Sequence, residues 1–297
     1  MIDDITRDKY VLSALSEVYI SLHIFDLIDD RLFPLKSNRY IEMWSENFES
    51  SQEKIHNVML NIASEEHRAL MVEFTDFSTL EERMKDQSAI SAVFHGKVNG
   101  WCRAKFIKVN HTENERLRYV LYAVECIDEE KKKENHLLYL SQTDLMTGIF
   151  NRGYGERMIS ELLSNQKEGL FCLFDVDKFK HVNDKYGHNV GDDVLIEIAK
   201  VLQTIKRPKD VVMRLGGDEF AAYFVDIDSE QSASGIINRF FDEVSKIHIP
   251  PMTESISVSL GAVLNKGGLT FDSIYKLADR GVYDSKTNKG NTFKFCN

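Results

Sequence analysis

Arg214-Leu215-Gly216-Gly217-Asp218-Glu219-Phe220 decides the fold of the C-terminal half. Apolar runs flank it, Val211-Val212-Met213 before and Phe220 to Val225 after, so the glycines read as the turn between two β-strands. Glycine reaches positive φ freely, and its missing side chain lets a ligand approach the backbone. Asp218 and Glu219 are thereby presented at a strand end. Asp175-Val176-Asp177 is a second acidic strand end, closing the buried-type run Leu170-Phe171-Cys172-Leu173-Phe174. Carboxylates on two neighbouring strand ends suit Mg²⁺ (or Mn²⁺), which takes hard oxygen ligands and keeps part of its shell for water and phosphate. Taken singly, D-x-D also fits a solvated strand end or a helix cap, and Gly-Gly fits an ordinary hairpin.

The segment after that strand runs Lys178-Phe179-Lys180-His181-Val182-Asn183-Asp184-Lys185-Tyr186-Gly187-His188-Asn189-Val190-Gly191-Asp192. A helix start here offers unpaired backbone N–H groups to phosphate, and Lys180 adds a point charge. Asn183 and Asp192 have the hydrogen-bonding character to read guanine, which presents two N–H donors and one carbonyl. Asp192 fits equally as the cap of the next helix.

Around these residues the apolar spacing alternates. Helices are expected over Tyr154 to Asn165, from Val190 to Ile205, Ser232 to Ile247 and Phe271 to Lys286, and a further strand over Ile256 to Val263. The class is α/β, of the α+β kind.

From Asp144-Leu145-Met146-Thr147-Gly148-Ile149-Phe150-Asn151-Arg152 onward the chain resembles a GGDEF domain, the diguanylate cyclase family. Three ordered stretches carry the resemblance: this opening, Asp175 to Asp192, and Gly216 to Phe220. It implies a nucleotidyl cyclase-like fold, with a central antiparallel sheet flanked by helices. It also implies one GTP per domain and a homodimer in which each ribose 3′-hydroxyl attacks the partner's α-phosphate, giving cyclic di-GMP and two pyrophosphates. By position Asp175, the Val176 carbonyl and Asp218 would hold metal, and Glu219 would serve as second-metal ligand or base. Lys180 and the Lys178-Phe179 amides would hold terminal phosphates, while Asn183 and Asp192 would select guanine. In this family serine in place of Asp192 resembles variants that accept ATP, so the aspartate implies restriction to GTP. Arg207-Pro208-Lys209-Asp210 matches the family's R-x-x-D inhibitory site for cyclic di-GMP. Near the end, where the family runs K-x-x-G-[RK]-N, this chain has Lys286-Thr287-Asn288-Lys289-Gly290-Asn291. Lys286 matches the first phosphate-binding cation; Gly290 stands where the second is expected, so either Lys289 substitutes from one position earlier or that contact is absent. The alternative is a catalytically silent module that binds GTP or cyclic di-GMP as a receptor.

The N-terminal half has a different order. A short helix over residues 1–16 precedes strand-like runs at Val18 to Phe25 and Arg31 to Leu35. Surface helices follow from Arg39 to Lys85, on the spacing of Phe48, Ile55, Met59 and Ile62. Three strands, Ala89 to Val98, Trp101 to Val109 and Arg116 to Cys126, are joined by turns at Asn99-Gly100 and Asn110 to Glu115. This order resembles PAS sensor domains, which implies an antiparallel sheet with helices and room for an unidentified small-molecule ligand. His23, His56, His67 and His95 are singly placed and read as structural or exposed. The charged run Asp128 to Glu134 leads into a helical linker. The division expected is 1–128 sensor, 129–143 linker and 144–297 cyclase domain.

Composition is that of an ordinary globular protein, with 43% hydrophobic and 28% charged residues. A net charge of −10 lacks the basic excess of a nucleic-acid binder. No apolar run reaches the roughly 18 residues of a membrane span, and the acidic N-terminus does not read as a secretory signal. The four cysteines have no C-x-x-C pair, so packing roles in a reducing cytoplasm are expected.

Overall fold

In the computed structural model, residues 14–15, 17–109, 116–286 and 290–296 are described. Most of the helix expected over 1–16, the turn at Asn110 to Glu115, and Lys289 lie outside them. The chain divides into two compact units, Met1–Asn135 and His136–Asn297.

The first unit is built on a five-stranded antiparallel sheet. Its strands are β1 (Tyr19–Asp26), β2 (Arg31–Lys36), β3 (Ala89–Gly96), β4 (Gly100–Lys108) and β5 (Tyr119–Cys126), in the order β2-β1-β5-β4-β3. Asp26 shapes the first hairpin: Oδ1 accepts the Ile28 and Asp29 N–H groups, while Oδ2 accepts from Arg118. Four helices, α1 (Arg39–Ser45), α2 (Ser51–Ile62), α3 (Arg68–Phe74) and α4 (Leu80–Arg83), separate β2 from β3. The structure corrects the expectation of surface helices for α2, α3 and α4, while α1 buries no residue. The 3.6-residue stripe of α2, Ile55, Val58, Met59 and Ile62, is buried with Phe25, Phe94, Phe106 and Tyr122 of the sheet. Each such side chain contributes about 1.5–3 kcal/mol of burial.

A cavity of about 40 Å³ remains in this core, lined by Ser21, His23, Phe25, Ile55, Met59 and Tyr122 among others. Ser21 and His23 are 1% and 5% exposed. Neither side chain is hydrogen-bonded by the described residues.

Helix α5 (Asp128–Gln142) spans the boundary between the units. At its first turn Asp128 Oδ1 accepts the Trp101 N–H at 2.7 Å, and Arg103 pairs with Glu130.

The second unit alternates as its sequence spacing predicts. After β6 (Phe150–Asn151) come α6 (Arg152–Ser164), β7 (Gly169–Val176), α7 (Phe179–Tyr186) and α8 (His188–Ile205). Then follow β8 (Val211–Gly216), β9 (Glu219–Val225), α9 (Glu230–Val244), β10 (Val258–Asn265), α10 (Phe271–Ser285) and β11 (Thr292–Phe295). The sheet order is β11-β10-β7-β9-β8-β6. Its four inner strands are antiparallel, whereas β6 and β11 join the two edges in parallel. Alternate residues of the central strand β7 feed opposite cores. Leu170, Cys172 and Phe174 pack with α8 and α9, and Phe171 and Leu173 with α6 and α10. A strand buried on both faces reads as a continuous apolar run, and its end carries the site.

Candidate active site

The β7 strand delivers Asp175, and antiparallel pairing sets Glu219 of β9 directly opposite it. Between β8 and β9 the chain turns at Gly216 and Gly217, with φ of 146° and 55°, a region that side chains with a Cβ rarely adopt. Arg214 holds this turn: Nη2 donates to the Gly217 carbonyl at 2.7 Å and Nη1 to Asp144 at 3.2 Å. Asp144 in turn accepts from the Thr147 N–H and hydroxyl. Burial opposes ionisation of Asp144, but those two donors and the Arg214 guanidinium overcome it and hold its carboxyl below the usual carboxylate range. The opening stretch Asp144-Leu145-Met146-Thr147-Gly148 is therefore a brace beneath the Gly-Gly turn, a role the sequence reading did not assign. The turn returns the Asp218 carbonyl to the Val176 N–H at 3.3 Å, which ties the two strand ends together.

Around Asp175 and Glu219 negative charge is in excess. Burial, and then the neighbouring carboxylates Asp175 and Asp218, push Glu219 above its ordinary value. Burial raises Asp175 as well, and Lys286, whose Nζ lies 2.9 Å from Asp175 Oδ2, only partly offsets it. Desolvated hard-oxygen donors short of positive charge fit Mg²⁺ or Mn²⁺. Among the described residues no group of three or more His, Cys, Asp or Glu is gathered as a ready-made metal shell. Asp175, Asp218, Glu219 and the Val176 carbonyl would supply a partial one, to be completed by phosphate and water. Asp177 is differently engaged: Ser257 and Ser259 donate to its two oxygens at 2.6 and 2.7 Å.

A cleft of about 860 Å³ opens beside these strand ends. Asp175, Val176, Asp218, Lys178, Phe179, Lys180 and Lys286 of the expected set all line it. Lys178 sits at φ 56°, a left-handed conformation, and reverses the chain into α7. No side chain caps that helix, and its first residues, Phe179, Lys180 and His181, line the cleft, an arrangement suited to anionic oxygen. Asn183 and Asp192 are not among the cleft-lining residues; Asn183 of α7 packs against Gly191 of α8, the neighbour of Asp192. A Cβ on Gly191 would stand 1.9 Å from Asn183 Oδ1, so this glycine is what admits the amide. Asp192 is not a cap, since α8 starts at His188.

Arg207 and Asp210 lie away from the cleft, between α8 and β8. Arg207 is exposed, whereas Asp210 is 4% exposed and accepts the Arg207 and Val225 N–H groups at 2.8 and 2.9 Å. Asp210 thus shapes the loop that presents Arg207. Asn291, at the end of the divergent segment, accepts the Val258 N–H at 3.0 Å and donates to the Phe241 carbonyl.

The protein named "Probable diguanylate cyclase DgcT" of Escherichia coli K12 is 32% identical over 157 residues, 50% of this chain and 34% of its own length. DgcM of the same strain is 31% identical over 180 residues, 59% of this chain and 43% of its own. The chain thus spans less than half the length of these relatives. Among solved structures, the coiled coil and GGDEF domain of DgcB from Caulobacter crescentus, in complex with c-di-GMP, matches with a TM-score of 0.51 and 24% identity. It covers 57% of this chain and 92% of that one, a likeness of fold. The family described as "Diguanylate cyclase, GGDEF domain" matches residues 141–292, half of the chain, and the chain accordingly belongs to the GGDEF diguanylate cyclase family.

Proposed function

We propose that the chain condenses two GTP into cyclic di-GMP and two pyrophosphates. The observation that supports this reading most is the pairing of Asp175 with Glu219 at adjoining strand ends, where Asp175 and Asp218 line a cleft with an uncapped helix start and Lys178, Lys180 and Lys286. A divalent ion bound there would lower the pKa of a ribose hydroxyl and offset charge building on the α-phosphate. Glu219, raised by burial and by its carboxylate neighbours, is suited to accept the proton of the attacking 3′-hydroxyl. Lys178 and Phe179 N–H groups, with Lys180 and Lys286, orient the terminal phosphates. Asn183 and Asp192 select guanine over adenine, and Lys289 supplies the second phosphate cation. A single copy holds one GTP, so the reaction needs a C2 pair of chains whose half-sites face each other.

Residues 144–297 form the cyclase domain in this reading, 129–143 the linker, and 1–128 a PAS-like sensor in a cytoplasmic enzyme. The 40 Å³ cavity, with Ser21 and His23 turned into it, is the place for a small regulatory ligand. Arg207 and Asp210 form a product-inhibition site.

Incubation of the purified chain with GTP and Mg²⁺ or Mn²⁺, followed by chromatography, tests the reaction. Cyclic di-GMP and pyrophosphate in a ratio of one to two are expected. Binding of GTP with no cyclic dinucleotide at any protein concentration would identify a receptor module instead. With equal GTP and ATP, mixed dinucleotide forming as fast as cyclic di-GMP would remove the role given to Asp192.

A further inference from the structure

Cys102 of β4 and Cys126 of β5 are direct partners in the antiparallel register. One step along, the Ile127 N–H donates to the Trp101 carbonyl at 2.8 Å. Trp101 and Ile127 therefore occupy a hydrogen-bonded position, and the two cysteines the next, non-hydrogen-bonded one. At such positions Cα atoms lie about 4.5 Å apart and side chains are closest, within the roughly 4.4–6.8 Å that a disulfide spans. The sulfurs also point to one place: Sγ of Cys102 lies 3.9 Å, and that of Cys126 3.7 Å, from the Asn99 carbonyl oxygen. Their access differs. Cys102 is 1% exposed, inside the core, whereas Cys126 is exposed at its rim.

We propose that Cys102 and Cys126 form an oxidation site that closes reversibly as a cross-strand disulfide at the foot of α5. The oxidant is hydrogen peroxide. Cys126, the accessible thiol, reacts first: its sulfur attacks the peroxide, the O–O bond breaks, and Cys126 becomes a sulfenic acid as one water leaves. The Cys102 sulfur then attacks the Cys126 sulfur; the S–S bond forms and the S–O bond breaks. The departing hydroxide takes up the Cys102 proton as a second water. Two thiols are oxidised and one peroxide is reduced. Burial, with Cys126 and Asp128 nearby, pushes the Cys102 thiol up to about 12, which shields it from direct oxidation; its attack is carried by register and proximity, and its proton passes to the departing hydroxide. The bond would staple β4 to β5 where Trp101 and Arg103 hold the first turn of α5.

The test is peptide mapping of the reduced full chain after brief treatment with hydrogen peroxide and alkylation of the remaining thiols. Expected are a reductant-sensitive peptide pair joining Cys102 to Cys126 and continued alkylation of Cys172 and Cys296. Cys102→Ser is expected to leave a dimedone-reactive sulfenic acid at Cys126, whereas Cys126→Ser leaves Cys102 reduced. Three results would overturn the proposal: over-oxidation of Cys126 with Cys102 still alkylated, a link between two chains, or both thiols still alkylated. Mapping of the unsubstituted chain decides the matter even where a variant does not fold.

Discussion

Arg214 is the side chain on which the Gly-Gly turn depends. It is 11% exposed and spans from the Gly217 carbonyl to Asp144. Arg214→Ala leaves that carbonyl without its donor and the half-buried Asp144 carboxylate with only the Thr147 groups. A loss of about 1–3 kcal/mol in denaturant melts is expected, together with at least about a tenfold fall in cyclic di-GMP formation. Arg214→Lys should recover only part of both, because an ammonium cannot fork between the two acceptors. Arg207 presents the opposite case, an exposed guanidinium with no part in the cleft. Arg207→Ala should leave the initial rate within about twofold and the melting temperature nearly unchanged, since exposed substitutions cost little. It should relieve inhibition by added cyclic di-GMP, read from progress curves; equal inhibition in both proteins would remove the product site. Asp210→Ala is a poorer probe, as it also unpins the loop.

At the scale of elements, the α7–α8 junction is set by a contact between a glycine and an amide. Gly191→Ala puts a Cβ where Asn183 Oδ1 now stands. If Asn183 reads guanine as proposed, an increase of about tenfold in the KM for GTP is expected, with kcat changed less, because the group displaced would bind base and not the reacting phosphate. Steady-state kinetics with a circular-dichroism check of folding would measure it. The helices around this junction were legible because apolar positions such as Val194, Leu195, Ile198 and Leu202 repeat at 3.6 residues. The strand β7 was legible because both its faces are buried. Strands β6 and β11, with two and four residues, are too short to show any period. The wrong placing of α2 at the surface has a related cause. Its stripe was visible, but only the sheet facing it makes that stripe a core. Contacts across the sheet, such as the two serines on Asp177 or the thiols of Cys102 and Cys126, depend on strand register, which a single sequence does not state. The chemistry of the site was legible earlier than its bracing, because paired carboxylates and glycines name their task whereas Asp144 and Arg214 look like ordinary surface charges.

At the scale of the whole molecule, both tryptophans, Trp44 and Trp101, fall in the first unit, so their fluorescence reports that unit's unfolding separately. Burial pushes His23 down to about 4 from 6.5. The unfolded chain therefore takes up this proton before the folded one does. Stability of the first unit is full above pH 6.5 and is lost as pH falls from 6.5 towards 4, by up to about 1.4 kcal/mol per pH unit. Denaturant titrations between pH 7.5 and 5, followed by tryptophan fluorescence, should show this slope, and His23→Phe should flatten it. Asp26 acts lower on the scale. Burial opposes its charge, but Arg118 and the Asp29 and Ile28 N–H groups hold it below the usual carboxylate range. Its contribution therefore survives until still more acid conditions.

The parallel pairing of β11 on β10 has a bearing on how far the protein can be shortened. A chain ended after Lys286 would retain every group assigned to catalysis except Lys289, and would look sufficient on chemical grounds. It would also strip the outer side of β10, leaving a row of unpaired N–H and C=O groups on a strand whose residues are nearly all buried. Such an edge invites other chains to add themselves to it. The shortened protein should appear in the insoluble fraction or as high-mass species on gel filtration. The four residues of β11 would then be this unit's safeguard against self-association through the sheet.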